Sequence, residues 1–334
     1  MKKAAALIIL SVLLFLNGAA CSGSHLKLGI GDRYDQTVNG REVIVFEEAK
    51  KDGLKFKYAA VWLTPGWSSW VNKEMLIKIR NSGYTPVLIY YTFGDLISKE
   101  YLERNNRAKL KEWYKDLKEK LVPLLDIGSE VLVVLEPEFN NVPANKETPV
   151  TGWEEWDDLA GAAIDILHKG APLCKTGLCP GDWGDYDLYR CMNKTAQKSD
   201  FIAFQEMRSA SDPSVDASGA EYRDVAGSAL KFSSYLKKTF KKPVLWAYLA
   251  VSSYKSGNPL GWEVEQADII KDIFKKEKEL LENGVFGFLY FAYYDDPSHG
   301  TEFFGEAEKY FGLKTSLGIP KKAWHELKKN SFSE

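Results

Sequence analysis

Short apolar runs alternate with longer amphipathic stretches along the chain from residue 26 onward. Short apolar runs between turn signals are typical of buried strands, and apolar residues three and four apart are typical of helices. The predicted strands are 27–31, 59–64, 86–91, 131–138, part of 171–179, 201–205, 244–249 and 287–293. The clearest predicted helices are 107–124, 156–168, 222–239 and 264–281. This order predicts repeated βα units around a parallel sheet.

Eight such units close a TIM barrel, so the predicted fold class is α/β, a single (β/α)8 barrel over residues 25–330. The length of 334 residues and the 45% hydrophobic content suit one large domain. A doubly wound open sheet competes with this prediction, but it carries a glycine-rich phosphate loop after the first strand. Here Gly29-Ile-Gly31 is followed by Asp-Arg-Tyr, without a third glycine.

The fourth predicted strand ends in the most informative segment of the chain, Glu136-Pro-Glu138-Phe-Asn140. Because strand side chains alternate, we expect Glu136 and Glu138 to share one face above the apolar interior. Pro137 fits a position where strand pairing stops. Two neighbouring carboxylates raise at least one pKa and keep a neutral acid available near pH 7, which glycosyl transfer requires.

The other predicted strands also end in acids and aromatic residues, and the active site of a barrel lies at these ends. Aromatic faces stack on sugar rings and carboxylates or amides bond hydroxyl groups, so the mixture predicts a carbohydrate cleft. Packing in the core, loop caps and salt bridges are the competing roles for these residues. The candidate catalytic residues are Glu138, Glu206 and Glu136. The candidate substrate-binding residues are Asn140, Asp32, Trp67, Asp182, Trp183, Trp246, Tyr248 and Asp295.

Charge and histidine content exclude other classes. The net charge is -2, and no basic stripe of the kind that nucleic acid requires is present. The four histidines are scattered, so we expect no metal site and no cofactor. After Cys21, three cysteines follow, at positions 174, 179 and 191. In an oxidising compartment that number predicts one disulfide and one thiol.

The first residues predict export. Lys2 and Lys3 precede a nearly continuous apolar run over 4–16, and small residues then lead to Cys21, as in a signal peptide over 1–20. Cys21 resembles the acylated cysteine of a bacterial lipoprotein, which predicts a lipid-anchored envelope protein. Gly18 stands where that pattern usually has leucine, so cleavage with release is the alternative.

Three segments resemble the (β/α)8 glycoside hydrolases of the large retaining clan, particularly family 26, which includes endo-mannanases. Glu138-Phe-Asn140 is similar to the family's Glu-Met-Asn, whose glutamate is the acid/base. Cys179-Pro-Gly-Asp182-Trp, followed by Ser199-Asp-Phe-Ile-Ala-Phe204, is similar to its Pro-Gly-Asp segment before the sixth strand. Phe311-Gly-Leu and Gly318-Ile-Pro-Lys-Lys-Ala-Trp324 resemble the closing segment of such barrels.

The chain departs from this family at two positions. Pro137 stands where the family has histidine, and Tyr248 stands where its nucleophilic glutamate ends the seventh strand. Three chemistries stay open: Glu206 as an inverting base, Glu136 with Glu138 in substrate-assisted catalysis, or an incomplete pair in a cleft that only binds.

The leading hypothesis is therefore an exported glycoside hydrolase acting on a polysaccharide or oligosaccharide, with Glu138 as general acid and Glu206 as its partner. A surface glycan-binding lipoprotein that keeps the barrel without the reaction is the second hypothesis. A metal-dependent hydrolase is the third, and only His299 lies near a predicted strand end.

Overall fold

A computed structural model describes residues 25–31, 33–92, 107–140, 153–181 and 188–331. The predicted signal peptide and Cys21 lie outside these residues, as do Asp32, Asp182 and Trp183. Among the described residues, no helix is both long and apolar enough to cross a membrane.

Eight parallel strands form the body of the molecule and confirm the predicted (β/α)8 barrel. With the ten strands numbered in chain order, the barrel strands are β1 (Lys27–Ile30), β4 (Tyr58–Leu63), β5 (Thr85–Tyr90), β6 (Val131–Leu135), β7 (Cys174–Leu178), β8 (Ile202–Arg208), β9 (Val244–Val251) and β10 (Val285–Tyr290). Their hydrogen-bonded order is β7-β6-β5-β4-β1-β10-β9-β8, with every neighbouring pair parallel.

The barrel closes between β7 and β8, the two ends of this order. Gly181 and Gln205 form a parallel bridge, and the Asp200 amide donates to the carbonyl of Thr176 at 2.8 Å. A side chain at Gly177 would meet the carbonyl oxygen of Phe201 at 2.5 Å. Glycine at position 177 therefore allows the two strands to approach closely enough to close the barrel.

Alternating burial explains why these runs become barrel strands. In β6, Leu132 and Val134 pack in the barrel interior, while Val131, Val133 and Leu135 pack in the outer core beneath the helices. A strand covered on both faces needs apolar residues at every position, which is the continuous pattern seen in the sequence.

Helices cover the outside of the barrel. Numbered in chain order they are α1 (Val45–Lys51), α2 (Lys73–Asn81), α3 (Arg107–Asp116), α4 (Val122–Leu125), α5 (Trp153–Gly170), α6 (Tyr189–Lys198), α7 (Ala220–Arg223), α8 (Val225–Phe240), α9 (Glu263–Lys275), α10 (Glu277–Glu282) and α11 (Lys322–Asn330). A π-helical turn over Leu117–Leu121 joins α3 to α4, and short 3-10 helices occur at Trp67–Ser69 and Gly305–Tyr310. The four predicted helical stretches are all helical in the structure.

An antiparallel hairpin, β2 (Asp35–Val38) and β3 (Arg41–Ile44), follows the first barrel strand and was not predicted. Its short strands are mostly polar and half exposed, so they lack the apolar run by which the barrel strands are found. The hairpin brings Asp35 to the mouth of the barrel.

The prediction of a disulfide is wrong for the described residues. Cys174, Cys179 and Cys191 are all buried, and no disulfide joins any two of them. Burial raises the pKa of the Cys179 thiol well above its usual range, and the nearby Glu138 charge adds to the shift. A thiol held in its neutral form is a poor nucleophile, so the three cysteines serve as small core residues.

Candidate active site

A large cleft opens at the carboxyl ends of the barrel strands. Its volume is about 1040 Å³, within the size range of a site for several sugar units. The residues at its floor lie in or directly after β4, β5, β6, β8, β9 and β10, so six of the eight barrel strands contribute to one site. The floor includes Trp62, Tyr91, Glu138, Gln205, Glu206, Tyr248 and Phe291.

Glu138 lies in this cleft three residues after the end of β6. Its backbone has φ 62°, a left-handed conformation that non-glycine residues adopt at a cost. The Glu138 amide donates to the carbonyl of Cys179 at 2.9 Å, which fixes this turn to the segment after β7. The hydroxyl of Tyr248 donates to Glu138 Oε1 at 2.8 Å, so the partly buried carboxylate is held from the opposite side of the barrel.

Glu136 does not share the position of Glu138. Strand β6 ends at Leu135, and Glu136 itself has φ 45°, so the strand alternation stops before the two glutamates. The Glu136 carboxylate accepts hydrogen bonds from Thr92 N at 3.1 Å, Thr92 Oγ1 at 2.8 Å and the indole of Trp113 in α3 at 3.1 Å. It is fully buried and does not line the cleft. The expectation of one shared face is therefore wrong, and Glu136 instead anchors α3 to the barrel rim.

Glu206 also lines the cleft, and its catalytic role stays a prediction. It belongs to β8, is 1% exposed, and its Oε2 lies 2.7 Å from Arg208 of the same strand. Arg208 is held in turn by the carbonyls of Tyr222 and Met207, at 3.1 and 2.8 Å. The cleft therefore contains one carboxylate that contacts a tyrosine hydroxyl and a second one that contacts a guanidinium.

Gln205 is a cleft residue that the sequence analysis did not select. It is 3% exposed, and its buried Oε1 has no hydrogen-bond partner within the described part of the chain. A buried amide oxygen without a partner is costly, so beside an open cleft either water or a bound molecule supplies the donor. Its position directly before Glu206 was the available signal.

An irregularity in β9 decides which aromatic residue reaches the cleft. Phe204 pairs with Trp246, but the next residue of β8, Gln205, pairs with Tyr248, so β9 carries one extra residue here. As a result Ala247 and Tyr248 both pack in the interior, whereas Trp246 packs in the outer core.

The environments of Tyr248 and Trp246 differ accordingly. Tyr248 lines the cleft, and burial raises the pKa of its hydroxyl well above the usual range, with the Glu138 charge adding to the shift. Its hydroxyl therefore keeps its proton and acts as a hydrogen-bond donor. Trp246 is fully buried, its ring centroid 5.2 Å from that of Phe204, and it cannot form a sugar subsite.

The aromatic wall of the cleft is built mainly from residues other than the predicted tryptophans. The ring of Trp62 makes edge contacts with Tyr91, Tyr248 and Phe291 at centroid distances of 5.5, 5.0 and 5.6 Å. Two further aromatic side chains at the rim, Trp70 and Phe303, are 43% and 56% exposed. Exposed aromatic rings beside a cleft are typical of surfaces that stack on sugars.

Two other predicted binding residues lie outside the cleft, in structural roles. The Trp67 indole is buried and donates to Asp116 at 3.1 Å. Asn140 donates to the carbonyl of Gly181 at 3.0 Å and accepts from its amide at 2.7 Å, which ties the segment after β6 to the closure of the barrel.

Asp295 is a third predicted binding residue outside the cleft. It is buried, and its Oδ1 lies 2.6 Å from Lys321 Nζ and 3.0 Å from the amide of Gly312. Burial raises the pKa of Asp295 to about 6, against the lowering effect of the Lys321 ammonium. Its carboxylate joins the end of β10 to the start of α11.

The described residues contain no group of three or more His, Cys, Asp and Glu side chains that could hold a metal ion. His299 lines the cleft, with its Nε2 3.9 Å from Glu308, but no second histidine lies there among the lining residues.

Comparisons with known proteins identify the fold. No protein-family model and no curated protein sequence matches the chain. Among solved structures, a GH5_18 protein of Streptomyces cattleya in complex with GlcNAc has a TM-score of 0.65 and 16% identity, covering 92% of this chain and 80% of that one. A GH5_18 variant of Bifidobacterium longum in complex with Manβ1-4GlcNAc has a TM-score of 0.59 and 15% identity, with coverages of 92% and 78%.

An endo-1,4-β-xylanase of Caldicellulosiruptor owensensis has a TM-score of 0.58 and 14% identity, covering 91% of this chain and 96% of that one. At such identities the likeness concerns the fold, and nothing in it singles out glycoside hydrolase family 26. The chain has the (β/α)8 barrel fold that these glycoside hydrolases share.

Proposed function

We propose that this protein is a glycoside hydrolase whose general acid is Glu138. The observation that carries the proposal is the position of Glu138 in a wide cleft with an aromatic wall, at the carboxyl end of a barrel strand. That combination supplies a proton donor next to surfaces that hold sugar rings. The fold shared with glycoside hydrolases supports the same activity.

The proposed step uses two of the carboxylic groups that line the cleft, those of Glu138 and Glu206. Glu138 gives its proton to the glycosidic oxygen as the bond from that oxygen to the anomeric carbon breaks. Glu206, the second carboxylate, takes a proton from the water that attacks the anomeric carbon, which makes the reaction inverting. The negative charge of Glu206 also stabilises the positive charge that develops on the sugar ring.

The solved structures that share this fold suggest the kind of substrate. The two GH5_18 structures hold GlcNAc and Manβ1-4GlcNAc, and the third neighbour is a xylanase. We infer a polysaccharide or oligosaccharide substrate for this chain. An endo-mannanase activity of the family 26 type rests only on the short motifs around Glu138 and Asp182.

Replacing Glu138 by glutamine tests the proposal. Because the amide is similar in shape but cannot donate a carboxylic proton, we expect a loss of about 10²–10⁴ in kcat with glycan binding retained. Release of reducing ends from a panel of polysaccharides measures kcat, and calorimetric titration measures glycan binding. Glu306→Gln is the matched control, since Glu306 is exposed and lies outside the cleft lining. Equal hydrolysis by wild type and Glu138→Gln would contradict the assignment.

A glycan-binding protein without hydrolysis is the second candidate. Two observations favour it: β9 presents Tyr248 rather than a carboxylate to the cleft, and Glu206 is engaged by Arg208. In that case the wild type would bind an oligosaccharide tightly and release no reducing ends from any polysaccharide of the panel.

We also propose that the protein is exported and lipid-anchored through Cys21, on the pattern of the first 21 residues alone. Replacing Cys21 by serine should move the protein from the membrane fraction to the soluble fraction. Equal distribution of wild type and Cys21→Ser would favour cleavage and release.

A further inference from the structure

The charges that line the cleft differ from those of the chain as a whole. The full chain has 44 basic and 46 acidic residues. The described lining of the cleft contains six carboxylates, two guanidinium groups and no lysine. The carboxylates belong to Asp35, Glu138, Glu206, Asp212, Glu302 and Glu308. The acidic cleft is therefore a local property and does not reflect an acidic protein.

Both arginines of the cleft face carboxylates already. Arg208 lies 2.7 Å from Glu206, and Arg33 lies 2.6 Å from Asp296. These ion pairs neutralise much of the positive charge that would otherwise attract a carboxylate or sulfate group of a substrate. The lining therefore presents a negative field, which low-dielectric walls focus into the cleft.

The acidic residues surround the cleft rather than forming one patch. Asp35 stands on the β2–β3 hairpin, Asp212 follows β8, and Glu302 and Glu308 follow β10. A chain of sugars crossing the mouth would pass carboxylates on several sides. Repeated positive charges along the ligand match such an arrangement better than one isolated charge.

The cleft floor offers a second, independent sign of the ligand. The Gln205 Oε1 is a buried acceptor that no described group satisfies, and Gln205 lines the same cleft as Glu138. An ammonium group has three donors and no acceptor, so it can satisfy this oxygen and contact a carboxylate at the same time. A uronate carboxylate, which only accepts, can satisfy neither.

We propose that the substrate of this site is a glycan with free amino groups, a polymer or oligomer of 2-amino-2-deoxyhexose units. The inference rests on the proposed function and names its substrate class. Aromatic contacts to the ring faces hold the sugars, and the Gln205 amide oxygen and the carboxylates of the rim hold the ammonium groups.

Binding of three hexasaccharides to the wild type tests the proposal. They are a β-1,4-linked glucosamine oligomer, its N-acetylated counterpart and an oligogalacturonate, compared by calorimetry at slightly acidic pH. We expect the amino oligomer to bind about tenfold more tightly than the N-acetylated one at low salt, with the difference shrinking at high salt. The oligogalacturonate should bind weakest. Equal or tighter binding of either comparison ligand would overturn the proposal.

Variants of acidic residues at the rim distinguish attraction by the carboxylates of the cleft from attraction by exposed acidic residues elsewhere on the protein. Asp35→Asn combined with Glu302→Gln should weaken binding of the amino oligomer about five- to tenfold, because each exposed charge contributes a modest share. The control is Glu42→Gln combined with Glu306→Gln, two exposed residues near the same segments but outside the cleft lining, which should change little. Equal effects of the two double variants would also overturn the proposal.

The two proposals fail in different ways. Tight, salt-dependent binding of the amino oligomer without hydrolysis of any glycan would support the proposed ligand class and contradict the proposed hydrolase activity. Hydrolysis of a neutral glycan without affinity for the amino oligomer would support the proposed hydrolase activity and contradict the proposed substrate class.

Discussion

At the residue scale, one hydrogen bond joins opposite sides of the barrel at the centre of the cleft. Tyr248 donates to Glu138 Oε1 at 2.8 Å, and burial keeps the tyrosine protonated. The hydrogen bond restricts the orientation of the Glu138 carboxyl group relative to the turn that contains this residue. Such fixing is what a general acid needs, because proton transfer depends on the distance between donor and leaving oxygen.

Replacing Tyr248 by phenylalanine should lower kcat/KM about tenfold or more, because the Glu138 carboxyl group loses the hydrogen bond that positions it for proton transfer. The measurement is the rate of reducing-end release under subsaturating substrate. Tyr254→Phe serves as the control, because Tyr254 lies outside the cleft lining and its ring stacks on Tyr310. An unchanged rate in Tyr248→Phe would show that the bond does not position the acid.

A buried ion pair beside the barrel illustrates a different use of a carboxylate. Lys321 Nζ lies 2.6 Å from Asp295, 2.8 Å from Ser253 Oγ and 3.2 Å from the carbonyl of Tyr310. Burial raises the pKa of Asp295 to about 6 and lowers the pKa of Lys321. Each charge is tolerated in the core only because of the other.

Lys321→Met should therefore destabilise the fold by about 3–5 kcal/mol at about pH 8, where Asp295 would be left charged and alone. Losing the ammonium raises the pKa of Asp295 further above its unfolded value. A group with such a raised pKa loses stability as pH rises, so the cost should be clearly smaller at about pH 5, where Asp295 is protonated. Urea unfolding at both pH values measures this difference.

The control for this experiment is Lys73→Met, which removes an exposed partner of Asp126. We expect little change from it at either pH. A cost of Lys321→Met that is independent of pH would contradict the account of the pair.

At the scale of the elements, the two faces of each strand decide which residues can function. Trp62 lies inside the barrel at the cleft, whereas Trp246 lies outside it beneath the helices. The extra residue in β9 separates Trp246 from Tyr248 in the same way, because without it these two residues would share a face.

Alanine substitution of the two tryptophans should give opposite results. Trp246→Ala removes a fully buried ring from the outer core, so we expect a loss of about 3–5 kcal/mol in unfolding free energy with glycan affinity retained in the folded protein. Trp62→Ala should weaken glycan affinity about tenfold with a smaller loss of stability. Denaturant unfolding and calorimetric titration of both variants give the comparison. A larger loss of affinity in Trp246→Ala than in Trp62→Ala would contradict this assignment of faces.

The strand and helix runs were predictable because their apolar patterns follow directly from burial. All eight barrel strands and four main helices were found, while the polar hairpin β2–β3 was missed. Within the site, Glu138 and Glu206 were selected because they follow apolar runs; both line the cleft, and their catalytic roles stay predictions. Simple alternation of side chains along a strand could not predict the left-handed backbone at Glu136 or the bulge before Tyr248, because neither changes the pattern of apolar residues. Those two irregularities account for the misplacement of Glu136 and Trp246.

At the scale of the whole molecule, a single closed barrel needs no cross-link among its described cysteines. Cys174, Cys179 and Cys191 are small buried residues, each separate from a disulfide partner. The core of the barrel supplies the stability that a small secreted domain would gain from disulfides.

A Cys21→Ser protein should therefore titrate three thiols after denaturation, and reductant should leave its thermal midpoint unchanged. The native protein should react slowly with thiol reagents, because all three groups are buried and the pKa of Cys179 is raised. Ellman titration in the presence and absence of denaturant measures both. One thiol instead of three would restore the disulfide predicted from the cysteine count.

The most direct test of the central claim is a crystal structure of the Glu138→Gln variant with an oligosaccharide bound. The proposal predicts sugar rings against Trp62 in the cleft, with one glycosidic oxygen within about 2.6–3.2 Å of the side chain at position 138. An oligosaccharide bound in the cleft with every glycosidic oxygen beyond hydrogen-bond reach of that side chain, or bound elsewhere on the barrel, would contradict it.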